Sequence, residues 1–510
     1  MKKPASYEWN GIVKLAVLFF CVIAGYYLFM LLNRLLGGSY GTYPCILTLA
    51  LIAGIAAGLS LRGALTEPSA VFLIFASAMA LRIDYIYYTS CYMRQQDTLI
   101  FDYPMGHLGY IGYLYYNHHL PDFDTRTAWS FSHPPLHHII SAVWVKINTK
   151  LGLDLELAIE NIQLLTLFYS MGILLFLYLL LKELNVKGLA LYAVLLILAF
   201  HPTFIFLSGS VNNDVLSIFF MTGALLYTVR WYRESSMKNI LILAVMIGCA
   251  MMSKVSAGLI APAVGVVFLI RLWKDRNCWK RYFCEFAAFG ALVFPLGLWS
   301  PLRNNLLFGV PFNYAEKLKL TDPQYIGDIP LLKRFTDFSA YQFCNLDIQF
   351  PEAGTYREFN LFIGLLKTAV FGQSDFYHAT DALTASGTLL FWLNVVLVAV
   401  CAAALLLGIT KYRKEYTVEK VFFMLMLVTF MVSYFQFCIQ YPHICTMNVR
   451  YIIPVLLVGL FFLALLPDAG KGQVLSGKAD GSSWPGRAVM LLASIWSVLS
   501  CIMFVALGTI

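Results

Sequence analysis

The sequence predicts an all-α polytopic membrane protein with about 13 transmembrane helices. Of its 510 residues, 60% are hydrophobic and only 13% are charged, and the mean hydropathy is +0.72. Soluble domains carry far more charge, so most of this chain must be solvated by lipid. Apolar runs of about 20 residues, the length that crosses a bilayer as a helix, recur along the chain between polar loops.

Thirteen apolar runs are interpreted as membrane spans. They cover residues 12–36, 43–61, 68–89, 157–182, 186–206, 211–230, 239–253, 255–272, 282–300, 385–409, 419–438, 449–466 and 487–509. The two short runs on either side of Lys254 form either a hairpin or one long tilted helix. Residues 136–150 are expected to form a helix along the membrane interface.

Lysine and arginine concentrate in alternate loops, on the same side as Lys2 and Lys3. The positive-inside rule makes that side cytoplasmic, which places the N-terminus in the cytoplasm and the long loops outside. The net charge of +8 follows from this distribution, so no nucleic acid is expected as a partner. We expect a multi-pass protein of the plasma membrane, taken as bacterial, in contact with membrane lipids.

The spans and loops divide the chain into five parts. They are N-terminal transmembrane helices (1–89), a first large outer loop with candidate catalytic residues and the interfacial helix (90–156), transmembrane helices (157–300), an outer loop or lobe (301–384) and C-terminal transmembrane helices (385–510). Six of the nine histidines lie in the first outer loop, between His107 and His138. A loop so rich in acids, bases and tyrosines is expected to carry the chemistry.

Seven short motifs occur in order, each at or beside a predicted outer loop. They are Arg94-Gln95-Gln96-Asp97, Gly106-His107-Leu108-Gly109-Tyr110, His133-Pro134-Pro135-Leu136, Val211-Asn212-Asn213-Asp214, Lys254-Val255-Ser256, Arg303-Asn304 with Phe308-Gly309-Val310-Pro311, and Arg450-Tyr451-Ile452-Ile453-Pro454. This set resembles the signature of glycosyltransferase family 39, which includes protein O-mannosyltransferases and lipid A aminoarabinose transferases.

The resemblance implies a GT-C-type membrane fold and a reaction outside the cytoplasm. The enzyme would move a sugar, with inversion, from a polyprenyl-phosphate-linked donor to a protein, glycolipid or wall-polymer acceptor. Nucleotide sugars are cytoplasmic, so an outward-facing transferase needs a donor that crosses the membrane on a lipid. The alternatives are a flippase or transporter of lipid-linked sugars, and a polysaccharide polymerase or ligase.

Inverting transfer needs a base that takes the proton of the acceptor hydroxyl. Asp97 matches the family's catalytic acid in the first outer loop, and the alternative is a solvated aspartate paired with Arg94. The competing candidates for the base are Asp84, Asp102, Asp122 and Asp124. Asp214 opens a predicted span, where capping alone explains an acid. The family pattern suggests instead that Asp214 positions the acceptor or the Asp97 loop.

Three cations are candidate ligands of the donor phosphate: Lys254, Arg303 and Arg450. The alternative for each is an anchor at the membrane interface. His107, by its motif, and His133 are candidate substrate-binding residues, although the paired prolines after His133 also suit the entry to a helix.

No metal or other cofactor is expected to be required. Adjacent histidines, as in His118-His119 and His137-His138, diverge around a helix and offer at most one ligand per face. A divalent metal is therefore possible but unsupported. Four of the eleven cysteines lie on the predicted outer side, and the sequence selects no disulfide among Cys91, Cys344, Cys438 and Cys445.

Overall fold

The computed structural model describes residues 10–38, 42–93, 101–102, 104–312, 314–346, 357–373, 376–410, 416–466 and 484–510. Within these residues it contains twenty α-helices and short 3₁₀ turns, and no strand beyond an isolated bridge between Tyr325 and His443. The predicted all-α fold class of a polytopic membrane protein is thus confirmed.

The helices follow one another along the chain with short connections. Their bounds are α1 Asn10–Leu35, α2 Tyr43–Leu61, α3 Glu67–Tyr88, α4 Gly106–Asn117, α5 Leu136–Lys150, α6 Leu155–Glu160, α7 Gln163–Glu183, α8 Gly188–Ala199, α9 Pro202–Gly209, α10 Asn213–Arg233, α11 Met237–Ser253, α12 Ala261–Lys274, α13 Trp279–Phe308, α14 Leu331–Thr336, α15 Ala340–Cys344, α16 Leu361–Phe371, α17 Asp381–Thr410, α18 Thr417–Gln440, α19 Ile453–Leu465 and α20 Trp484–Leu507. Residues 136–150 form the helix that the sequence predicts there.

In the described part of the chain, ten helical segments are long and apolar enough to cross a membrane. The bent pair α8 and α9, with 46° between its halves, raises the number to eleven. The predicted thirteen is not confirmed, because α11 and α19 are shorter than a full span. Helix α11 ends where the backbone becomes extended at Lys254, and α19 begins only after a 3₁₀ turn at Val449–Tyr451.

The core of the bundle is formed by α7 and α10, most of whose residues are buried. Helices α1 and α2 lie at the periphery, and their apolar side chains are largely exposed. Such exposure is expected of side chains that face lipid rather than water.

The chain reverses direction at Lys254, as the hairpin interpretation requires. The side chain of Asn213, at the start of α10, donates to the carbonyl oxygen of Ser253 at the end of α11 (2.8 Å). At the far end of α10, the ring of Trp231 packs on Phe268 of α12, with 4.6 Å between centroids. Helix α11 begins near the end of α10, and helix α12 ends there. The reversal between α11 and α12 therefore lies beside the start of α10, which brings Lys254 to the same end of the bundle as Asp214.

The opposite end of the bundle carries several ion pairs. Lys182 pairs with Glu67, Arg230 with Glu183, and Arg233 with Glu419. These basic residues belong to the loops that the sequence assigns to the cytoplasm. The ends of α10 therefore differ in chemistry, with Asp214 at one end and paired arginines at the other.

Candidate active site

A cavity of about 310 Å³ lies at the end of the bundle where α10 begins. Its walls come from the first outer loop, the reversal after α11, the end of α13 with the loop that follows, the end of α18 and the turn before α19. The lining residues are Trp129, Ser130, Ser132, His133, Pro134, Lys254, Val255, Ser256, Leu259, Pro301, Asn304, Val310, Pro311, Phe312, Tyr314, Ala315, Glu316, Ser433, Tyr434, Phe437, Arg450 and Tyr451.

Two of the predicted cations line this cavity and share one carboxylate behind it. The ammonium of Lys254 donates to Asp214 Oδ1, and Arg450 Nη1 lies 3.9 Å from Asp214 Oδ2. Asp214 is almost fully buried, with 4% of its side chain exposed, whereas Lys254 keeps 18% and Arg450 keeps 10%. Lys254 and Arg450 thus share the carboxylate of Asp214 at this wall of the cavity.

The ring of Tyr451 lies beside both cations. Its centroid is 5.0 Å from Lys254 Nζ and 5.0 Å from Arg450 Cζ, and its hydroxyl accepts a hydrogen bond from Arg450 Nη2 (3.0 Å). An aromatic face within about 6 Å stabilises a cation. Tyr451 therefore holds the two positive charges close together at the cavity wall.

Asparagines fix the backbone on which these charged side chains stand. The side-chain oxygen of Asn212 accepts from the amide of Asp214 (3.1 Å) and caps α10. In the same way, Asn448 accepts from the amide of Arg450 (2.9 Å). The Asn-Asn-Asp sequence thus acts partly as a helix cap, as its composition suggests. The same cap orients Asp214 toward the two cations.

The histidines of the first outer loop form a stacked group beside the cavity. His133 lines the cavity, and the ring of His107 lies parallel to it at 5.6 Å. On its other side His107 Nδ1 is hydrogen-bonded to His138 Nε2 (3.0 Å), and Tyr110 stacks on His138. His107 is thus buried beneath His133 and is not among the residues that line the cavity.

Burial controls the charge of this group. It lowers the pKa of His107 and of His138 well below the ordinary value, and it lowers the pKa of His137 to about 3. For His107, the charges of neighbouring groups, His133 first among them, lower the pKa further. Burial disfavours the charged form of an imidazole, and for His137 it outweighs the opposing charge of Asp214, so these rings are neutral near pH 7.

Arg303 lies beside the cavity but points to the first outer loop. Its guanidinium donates to the carbonyl oxygen of Pro121 (2.6 Å) and to the side chain of Asn304 (3.2 Å). Nearby, Arg126 pairs with Asp124 and donates to the carbonyl oxygen of Phe308 (2.9 Å). Two arginines therefore join the first outer loop to the end of α13.

Glu316 is a lining residue that the sequence does not single out. Its Oε1 accepts from the amide of Ser130 (2.8 Å) and lies 3.5 Å from the hydroxyl of Ser132. Burial, followed by the nearby charge of Glu316, raises the pKa of Tyr314. No motif marks Glu316, and the only available signal was an acid two residues after a tyrosine in the loop beyond Pro311.

Asp97 and Arg94 lie outside the described residues, so the assignment of Asp97 as the base stays a prediction. Within the described residues, no group of three or more histidine, cysteine or acidic side chains is arranged to hold a metal ion. The requirement for a metal stays a question for experiment. On the predicted outer side, Cys91, Cys344 and Cys438 are free thiols.

Comparison with protein families gives one match over a third of the chain. Residues 132–299 match the family described as dolichyl-phosphate-mannose-protein mannosyltransferase. This segment contains three of the seven motifs, those that carry His133, Asp214 and Lys254. No curated protein matches the chain.

Proposed function

We propose that this chain, which is similar to family 39, is a membrane glycosyltransferase that transfers a sugar from a polyprenyl-phosphate-linked donor to an acceptor hydroxyl within the cavity described above. The observation that carries the proposal is the convergence of Lys254 and Arg450 on the cavity wall beside Asp214. The two cations come from segments nearly two hundred residues apart in the chain, which is more than membrane anchoring requires.

The donor phosphate is placed against Lys254 and Arg450. Arginine and lysine both bind phosphate oxygens through charge-assisted hydrogen bonds. Both cations line the cavity, so one phosphate bound there can contact each of them. The polyprenyl chain would then run between helices toward the lipid, where apolar surfaces are exposed.

Transfer forms one bond and breaks another at the anomeric carbon. The acceptor oxygen attacks that carbon, the bond from carbon to the phosphate oxygen breaks, and the proton of the acceptor hydroxyl goes to Asp97. The leaving lipid phosphate gains negative charge as the bond breaks. Lys254 and Arg450 are already in place to stabilise that charge, so their interaction grows stronger toward the transition state.

The histidine stack supports the first outer loop rather than supplying a second base. His133 borders the cavity and is proposed to contact the substrate, whereas His107 and His138 are buried beneath it. We propose that His107 acts on the substrate indirectly, by fixing the ring of His133. A neutral stack suits this task, because it adds no charge that would compete for the phosphate.

Arg303 is proposed to act on the donor through the shape of the cavity. Its bond to Pro121 holds the first outer loop against α13, and the cavity lies between these two elements. To contact the phosphate directly, the Arg303 guanidinium would have to give up its hydrogen bond to the carbonyl oxygen of Pro121. Removal of Arg303 should therefore disturb the first outer loop, whereas removal of Lys254 or Arg450 should weaken phosphate binding.

The experiment supplies purified protein in nanodiscs with a short-chain polyprenyl-phosphate mannose carrying labelled sugar. We expect polyprenyl phosphate to be released only when active protein is present, and the label to be transferred to an acceptor fraction. A Lys254→Gln protein of normal thermal stability serves as the control and should show little release. Movement of intact donor across the bilayer without release would favour a flippase and contradict the proposal.

A further inference from the structure

Three aromatic side chains at the connection between α12 and α13 are exposed. Trp273 is 79% exposed, Trp279 is 57% exposed and Phe283 is 68% exposed. The connection, which includes a 3₁₀ turn at Arg276–Cys278, joins two segments that are each long and apolar enough to cross a membrane. Tryptophan is enriched where a chain meets the boundary between membrane and water. The connection therefore lies where the chain leaves the membrane and returns to it.

This connection is at the end of the bundle opposite the cavity. The ammonium of Lys274 donates to the hydroxyl of Tyr232 (2.5 Å), and the ring of Tyr282 packs on Trp231 with 6.0 Å between centroids. Tyr232 and Trp231 belong to the last turn of α10, whereas the cavity lies where α10 begins. A ligand bound at the connection would thus be separate from the donor and the acceptor.

The basic side chains of the connection fall into a paired and an unpaired group. Arg271 pairs with Asp275 (2.8 Å), and Arg281 pairs with Glu285 (2.9 Å). In the part of the chain that the structure describes, three further basic side chains have no acid at ion-pair distance. They are Lys274, Arg276 and Lys280, and all three are exposed.

Exposed rings and unpaired cations alternate along the sequence of this connection. Trp273 precedes Lys274 at the end of α12, and Arg276 begins the 3₁₀ turn. Lys280 Nζ lies 5.9 Å from the ring centroid of Trp279, in the first turn of α13. We call residues 273–283 the basic aromatic turn. It combines apolar surface with positive charge at the depth of the lipid headgroups.

Topology explains only part of this arrangement. Basic residues keep a loop on one side of the membrane, yet Lys182, Arg230 and Arg233 at the same end of the bundle are paired with acids. The unpaired cations of the basic aromatic turn need a counter-ion. A zwitterionic headgroup carries its own cation beside its phosphate, whereas an acidic headgroup has a net negative charge and supplies the counter-ion.

We propose that the basic aromatic turn binds the headgroup of an acidic phospholipid. The phosphate of that lipid accepts charge-assisted hydrogen bonds from Lys274, Arg276 and Lys280. An ammonium has three donors, so the bond from Lys274 to Tyr232 leaves two for the phosphate. The rings of Trp273 and Trp279 pack on the glycerol region of the same lipid, where tryptophan is favoured. This interaction is independent of sugar transfer.

The test titrates the purified, detergent-solubilised protein with phosphatidylglycerol or with phosphatidylcholine and counts bound lipids by intact-complex mass spectrometry. We expect the parent to prefer phosphatidylglycerol. Each basic residue near a membrane contributes roughly fivefold to the attraction of an acidic lipid. Lys274→Gln combined with Arg276→Gln and Lys280→Gln should therefore lose at least about tenfold in affinity for phosphatidylglycerol and little for phosphatidylcholine.

The matched control removes three exposed lysines at the opposite end of the bundle. The control substitutions are Lys150→Gln, Lys317→Gln and Lys319→Gln, which change the net charge by the same amount. We expect this control to bind phosphatidylglycerol as the parent does. Equal losses in both triple variants, or a parent without preference for the acidic lipid, would overturn the inference.

Two further measurements separate a lipid site from the alternatives. If the cations serve only to orient the chain, a correctly inserted triple variant should bind phosphatidylglycerol like the parent, and that result would contradict the inference. Should the triple variant fail to insert, Arg276→Gln alone should lose about fivefold. We expect Trp279→Gln to weaken lipid binding too, and soluble glycerol phosphate not to displace the lipid. Displacement by glycerol phosphate at the concentration of the lipid would indicate a free-phosphate site instead.

Discussion

The ammonium of Lys254 donates to Asp214 Oδ1 and joins the break after α11 to the first turn of α10. The pair is formed by residues that the sequence offers as separate candidates, an acid at a helix start and a lysine between two apolar runs. Both have ordinary explanations in isolation, as a cap and as an interfacial anchor. Their contact, with Arg450 on the other carboxylate oxygen, turns them into one polar group at the cavity wall.

Replacement of the proposed base should abolish transfer but not donor binding. We expect Asp97→Asn to bind the lipid donor normally and to lose turnover by about a hundredfold or more, because the acceptor proton has no receiver. Asp122→Asn is the matched control, since Asp122 is exposed in the same loop and, among the described residues, accepts from Tyr113. Near-normal turnover of purified Asp97→Asn would remove Asp97 from the mechanism.

The charge distribution predicts which loops are outside the cell. A cysteine at Tyr116 or Pro323 should react with a membrane-impermeant reagent in intact cells, whereas one at Gly472 should react only after lysis. Tyr116 suits this labelling because its side chain is 63% exposed. The reverse labelling pattern, in a background without accessible native thiols, would invert the topology and remove the need for a lipid-linked donor.

Acid should destabilise the protein through its buried histidines. The pKa of His137 is lowered to about 3 in the folded state, against about 6.5 in an unfolded chain. The unfolded state therefore binds more protons below pH 6.5, and stability falls as the pH falls, by up to about 1.4 kcal/mol per pH unit for such a histidine.

His137→Leu isolates this effect, since in the described structure neither ring nitrogen of His137 has a hydrogen-bond partner. We expect the variant to match the parent at pH 7.5 and to lose less thermal stability between pH 7 and pH 5. His119→Leu, at an exposed position, should leave the pH dependence as it is in the parent. An identical acid sensitivity in His137→Leu and the parent would contradict the assignment.

Removal of Arg303 should disturb the first outer loop. We expect Arg303→Gln to make the segment around Pro121 more accessible to protease or to hydrogen exchange, because the bond to that carbonyl is lost. Donor affinity and acceptor KM should change together, since the loop borders the whole cavity. If Arg303→Gln weakened only the affinity for lipid phosphate and left the loop undisturbed, Arg303 would instead be a residue that contacts the phosphate.

The sequence predicts the helical membrane fold because hydrophobic length is a local property. It overestimates the number of full spans at α11 and α19, where only tertiary structure reveals that the helix stops at Lys254 or starts after Tyr451. It also brings His133, Asp214, Lys254 and Arg450 into consideration through their motifs. Their mutual contacts depend on chain reversal and packing, and no local pattern encodes these.

Glu316 and Arg303 mark the limit of prediction in the site. Glu316 stands in an irregular loop without periodicity, so nothing in its neighbourhood distinguishes it from a solvated acid. Arg303 lies in a motif, yet its partner is a backbone carbonyl oxygen of Pro121, more than 180 positions earlier. Backbone acceptors are present at every residue, so such a contact leaves no signature in the sequence.

The central claim is that Lys254 and Arg450 bind the donor phosphate. Titration of polyprenyl phosphate tests it directly, because donor and product share that group. We expect Lys254→Gln and Arg450→Gln each to lose about tenfold or more in affinity, since a hydrogen bond to a charged group is worth about 1.5–3 kcal/mol. Lys333→Gln, which removes an exposed lysine of the outer lobe, should bind as the parent does.

The decisive measurement uses the double variant Lys254→Gln with Asp214→Asn, which removes one positive and one negative charge and so keeps the net charge of the parent site. Our account predicts a folded protein of near-parent thermal stability whose affinity for polyprenyl phosphate stays at least about tenfold weaker. Binding curves for this variant and for Arg450→Gln that overlay the parent curve would show that these cations are structural, and would contradict the account.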